Sequence, residues 1–153
     1  MQVDSETGAF RVNTARTCGG FTESGTFRSG ALSADVGDVP ATVWASVLDG
    51  TSFGDARRIL VTHLTDLQNM DITYGDERLR VLLDWGHLPY LVRNGSAMVR
   101  LAVSAGAWKV YRLDATGKRM ETVPSSFADG MLSFTAAVDA DPANATFLYE
   151  VNR

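Results

Sequence analysis

The sequence predicts an all-β fold, an antiparallel β-sandwich of about ten short strands, and three observations predict it. Apolar and polar residues alternate in almost every apolar segment, as half-buried strands require. Gly, Asn, Asp and Pro punctuate those segments at short intervals. Helical periodicity is nearly absent: only "DARRILVTHLTDLQN" offers a helical face, through Ile59, His63 and Asp66. Even there, the β-branched side chains within Ile59–Thr62 favour a strand. The 153 residues fit one β-sandwich domain spanning 1–153, long enough to bury a single core.

Taken in order, "FRVNT", "GTFRSGALSADV", "ATVWASVLDG" and "RRILVTHLTD" read as strands, with breaks at Gly19-Gly20, Asp38-Val39-Pro40 and Asp49-Gly50. Residues 66 to 79, "DLQNMDITYGDERL", are the longest polar stretch and predict a surface loop or a short helical turn. In "MVRLAVS", Val99, Leu101 and Val103 share one face; in "WKVYRLDA", Trp108 and Val110 oppose Lys109, Tyr111 and Leu113. "GMLSFTAAVDA" aligns Leu132, Phe134, Ala136 and Val138, and "ATFLYEVNR" aligns Phe147, Tyr149 and Val151. Asn94-Gly95, Ala115-Thr116-Gly117 and Asp129-Gly130 predict hairpins, because each supplies residues that tolerate positive φ.

Composition narrows the function classes. A net charge of −4, with basic residues scattered along the chain, opposes nucleic-acid binding, which draws its affinity from clustered Lys and Arg. No apolar run approaches the ~18 residues that cross a membrane as a helix. The start, "MQVDSETGAF", has neither the basic nor the apolar region of a signal peptide. Read as a complete chain this predicts a cytoplasmic protein; otherwise it is a piece of a longer exported one. Cys18 is the single cysteine, so no internal disulfide staples the fold.

Candidate chemistry is sparse. His63, His87 and Cys18 do not make the paired spacings of a zinc site, and no cofactor motif is present. A Cys18–His63 dyad would have to meet in space, and nothing near Cys18 marks an activated thiolate. His63 is expected as a packed histidine with locally bonded ring nitrogens. Asp49, Asp66, Asp84, Asp114 and Asp129 fall at strand ends and turns, where Asp bonds the local backbone. A pair of carboxylates across a sugar would make a small β-sandwich hydrolase. Glu150, within a strand pattern, is expected to face solvent. Among the rings Trp44, Trp85, Trp108, Tyr74, Tyr90 and Tyr111, Trp85 and Trp108 are in phase with apolar neighbours and are expected in the core. Trp44 points away from Val43 and Val47, which makes it the candidate ligand-binding residue of a carbohydrate-binding module.

The order of these segments resembles the C-terminal β-sandwich accessory domain of bacterial (β/α)₈-barrel glycoside hydrolases. The residues that carry the resemblance are Leu48, Asp49 and Gly50; Arg58, Ile59, Leu60 and Asn69; Gly86 and Pro89; and Val110, Tyr111, Leu113, Asp114 and Gly117. The resemblance covers nearly the whole chain. It implies a non-catalytic domain that packs against a catalytic barrel, has the acid/base and nucleophile carboxylates supplied by that barrel, and serves polysaccharide degradation. At 153 residues the chain is too short to hold the ~250 of such a barrel itself.

Overall fold

A computed structural model of the chain describes residues 1–4, 8–138 and 145–153. The strands are β1 (Gln2–Val3), β2 (Phe10–Asn13), β3 (Thr17–Thr22), β4 (Thr26–Ser29), β5 (Leu32–Asp35), β6 (Ala41–Val47), β7 (Arg58–Leu64), β8 (Leu67–Met70) and β9 (Thr73–Tyr74). They continue with β10 (Leu82–Asp84), β11 (His87–Val92), β12 (Gly95–Ala102), β13 (Lys109–Leu113), β14 (Arg119–Val123), β15 (Ser125–Ala128), β16 (Met131–Val138) and β17 (Leu148–Asn152). The described residues are therefore all-β, with no helix and with more, shorter strands than the ten expected. Positions 139 and 140 of the "GMLSFTAAVDA" strand lie outside the described residues.

Two large antiparallel sheets form the sandwich. One has eight strands in the order β1-β2-β3-β6-β7-β17-β13-β14, the other five in the order β15-β16-β12-β5-β4. Their inner faces make one core. Cys18, Val43, Ala45, Ile59, Val61, Val110 and Val151 from the larger sheet meet Phe27, Leu32, Ala34, Val99, Leu101, Leu132 and Phe134 from the smaller. Phe134 and Tyr149 touch across the gap at 5.8 Å between ring centroids. Tyr149 also ties the sheets together by polar contacts, since its hydroxyl accepts from the Ala137 N–H and donates to the Ala137 carbonyl, both at 2.8 Å. The expected alternations in β12 and β16 hold, and Trp108 is buried with its indole N–H on the Ser104 carbonyl.

Turn chemistry explains two hairpins and misplaces a third. Asp129 and Gly130 both take positive φ (52° and 75°) between β15 and β16, and Gly117 (85°) closes β13 to β14. Asn94-Gly95 makes no hairpin: β11 pairs with β8 in a two-stranded sheet while β12 pairs with β16 and β5, so the dipeptide leads from that ribbon into the five-stranded sheet. Gly19-Gly20, expected as a break, lies inside β3. Gly19 is opposite Trp44, whose indole packs so near that a Cβ at 19 would collide with it.

The segment expected as a loop, beginning at residue 66, is instead a ribbon. β8 pairs with β11, and β9 with β10, in two-stranded sheets that stand outside both layers of the sandwich. This arm, residues 66–93, is closed at its neck by the Arg93 N–H on the Asp66 carbonyl at 3.1 Å and the Thr65 hydroxyl on the Arg93 carbonyl.

Candidate functional site

Most of the exposed large hydrophobic side chains among the described residues are on the arm. Of thirteen such residues, eight are here: Leu67, Leu79, Val81, Leu83, Trp85, Leu88, Tyr90 and Leu91. Trp85 is 73% exposed, the opposite of its expected place in the core. Its alternation with Val81 and Leu83 is real, but the shared face has no second layer to cover it. A two-stranded ribbon of this kind has little stability of its own in water.

Side-chain bonds hold the ribbon in one shape. Asn69 donates to the Trp85 carbonyl at 2.7 Å, and Asp84 accepts the Gly86 N–H at 2.9 Å. His87 Nε2 meets Asp71 at 2.9 Å and its Nδ1 meets the Leu88 carbonyl at 2.8 Å. That carbonyl, with Asp71 beside it, raises the His87 pKa above its ordinary value. Gly86, at φ 64°, lies so close to Met70 that a Cβ there would strike the Met70 carbonyl. At the tip Asp76 accepts from the Arg80 guanidinium and from the Arg80 N–H. Leu79 beside them takes φ 54°, a strained conformation for a leucine. With Arg93 and Asp66 at 3.8 Å, charged pairs thus stand at the neck, middle and tip of an arm whose exposed side chains are largely apolar.

Trp44 lies on the outer face of the eight-stranded sheet, half-buried, with Phe10 at 6.5 Å and Gly19 beneath it. Around it on that face are Val12, Phe21, Leu60, Leu64 and Leu148, all half-buried. Leu64 ends the strand from which the arm departs.

The polar candidates are structural. Asp49 caps the N–H groups of Arg57 and Arg58, and Asp114 accepts from the Thr116 hydroxyl and from the N–H groups of Lys118 and Thr116; those bonds hold both carboxyls below the usual range. Glu150, expected in solvent, is buried: its oxygens take Arg58 Nε at 2.7 Å and Arg119 Nε at 2.5 Å. The bond from Arg119 chiefly lowers its pKa, against the opposing effect of burial. His63 is fully buried, but neither ring nitrogen finds a partner among the described residues, which corrects the expectation of local bonds. Burial lowers its pKa to about 4, and burial raises the Cys18 thiol to about 11. Both groups are sealed in the core, so a reactive thiolate–imidazole pair has no basis here. Among the described residues, no three His, Cys, Asp or Glu side chains converge to hold a metal ion.

With this all-β, sandwich-like class defined, no family model, curated protein or solved structure matches the chain.

Proposed function

We propose that the chain is a non-catalytic accessory domain of a bacterial polysaccharide-degrading enzyme, docked through its arm to a catalytic (β/α)₈ barrel. The observation that carries the docking is the arm itself, eight exposed apolar side chains on a ribbon braced by its own hydrogen bonds. A concentration of exposed apolar side chains on one element is the usual mark of a protein partner. Bracing before contact reduces the ordering cost of binding. The half-buried face around Trp44 offers a second surface at the end of the sandwich where the arm begins. The barrel as partner rests on the resemblance in motif order.

Co-expression with the barrel glycosidase of the same reading frame or operon tests this. The wild-type chain is expected to co-elute with it, and a Leu83→Ala/Trp85→Ala variant to elute alone. Separate elution of the wild-type chain overturns the reading. A carbohydrate-binding module is the second reading, favoured by Trp85 and Tyr90, which are 73% and 60% exposed on one ribbon. Aliphatic side chains outnumber rings there six to two, which suits a protein surface better than a sugar platform. Retardation in gels containing neutral glycans, lost on Trp85→Ala, would establish the module instead.

A further inference from the structure

The outer face of the five-stranded sheet carries a different chemistry. Cross-strand register places Arg28 of β4, Ser33 of β5, Arg100 of β12, Ser133 of β16 and Ser126 of β15 in one row across all five strands. Arg28, Ser33, Arg100 and Ser133 alternate with core residues and face away from the sandwich interior, and Ser126 is exposed beside the partly buried Phe127. With strands ~4.8 Å apart, the arginines stand roughly 10 Å from each other and the row runs for about 19 Å.

Five of the other ten arginines make ion pairs among the described residues: Arg58 and Arg119 hold Glu150, Arg80 holds Asp76, Arg93 faces Asp66 and Arg112 meets Glu121. Arg28 and Arg100 are exposed, and neither has an ion-pair partner among the described residues. Between them Ser33 is only 8% exposed, and its hydroxyl has no partner among the described residues. Arg28, Ser33 and Arg100 line a shallow cleft of about 470 Å³ with Ala31, Ala102 and Met131. Beyond Arg100, Ser126 and Ser133 line its neighbour. The acid nearest along the face, Asp35, has one oxygen on the Gly37 N–H at 3.0 Å.

We infer that this row is a binding site for an acidic polysaccharide, with Arg28 and Arg100 each taking a carboxylate or sulfate group and the serine hydroxyls bonding the chain between and beyond them. A guanidinium presents a planar fork of donors that matches an oxyanion, and such charge-assisted bonds are about twice as strong as neutral ones. Two forks separated by a hydroxyl suit a polymer whose charges recur, better than one small anion. The anion chemistry stands on the two arginines; the polysaccharide as its carrier rests on the reading under Proposed function.

Affinity electrophoresis of the full chain through polygalacturonate, a sulfated galactan and neutral xylan tests the site. A protein of net charge −4 is repelled by a polyanion, so retardation there requires a local site. Retardation on polygalacturonate, on the sulfated galactan or on both is expected, with none on xylan; which polymer retards identifies the group as carboxylate or sulfate. Arg28→Gln/Arg100→Gln is expected to bind at least ~10-fold more weakly and to melt like wild type, both side chains being exposed. Leu83→Ala/Trp85→Ala is expected to keep the retardation, which separates this site from the docking surface. Free migration of the wild type on both acidic polymers, or equal retardation of the arginine variant, overturns the inference.

Discussion

Leu101 and Leu83 both sit in short antiparallel strands with an apolar residue two positions to either side, Val99 and Val103 for one and Val81 and Trp85 for the other, yet Leu101 is fully buried and Leu83 is 68% exposed. The strand of Leu101 has a paired neighbour on each side and an opposing sheet above it. The strand of Leu83 has one partner and no opposing layer. Alternation gives a strand two chemically distinct faces, and a second layer turns one of them into core. The sandwich satisfies its apolar faces internally, whereas the arm presents its apolar residues outward.

That contrast sets the size of each expected effect. Phe134→Ala, at the centre of the sandwich, is expected to lower unfolding free energy by roughly 3–5 kcal/mol in urea titrations. A loss under ~1 kcal/mol would mean the sheets are not the stable unit.

Acidification comes next. With its folded pKa at about 4 and the ordinary value near 6.5, His63 takes up a proton in the unfolded chain before it does in the folded one. Stability should therefore fall as pH drops from about 6.5 to 4, by about 3 kcal/mol. Urea midpoints measured for wild type and His63→Leu across that window check this, the variant losing that limb. Equal slopes in the two proteins would show that the imidazole finds a partner.

Glu150 should matter somewhat less, because its arginines reach solvent. Its folded pKa is depressed, so its contribution is present above the unfolded value and lost as pH falls through the folded one. Glu150→Gln is expected to cost about 1–2 kcal/mol at pH 7 in the same titrations, an effect that a solvated, unpaired glutamate would not show.

The smallest effects belong to the arm. Trp85→Ala should change the stability of the isolated chain by no more than ~0.5 kcal/mol. Limited trypsin digestion should cut first after Arg78 or Arg80 at the tip and be slowed by the bound partner. Initial cleavage within the sandwich would reverse the order of stability argued here.

Periodicity made the sandwich legible because it reports what each strand does locally. The inward sets of β12 and β16 follow directly from the residues. It could not separate Trp85 from Trp108, since both alternate with apolar neighbours and only the layer above them differs. Glu150 was misread for a related reason: Arg58 and Arg119 reach it from strands far away in sequence, through register that no local pattern encodes. Asn94-Gly95 has the composition of a tight turn, but the strands on either side pair elsewhere. The row from Arg28 to Ser126 was equally hidden, because each strand contributes a single residue to it.

The neck at Asp66 and Arg93 holds the two ends of the arm together by a backbone hydrogen bond. Whatever lies beyond it can be shortened, lengthened or exchanged with little change in loop-closure entropy and no rerouting of the sheets. Replacing residues 67–92 by a tight turn should leave a chain that still crosses from one sheet to the other at the same place. The arm is in that sense a detachable fitting, and recognition on it can be rewritten without renegotiating the fold.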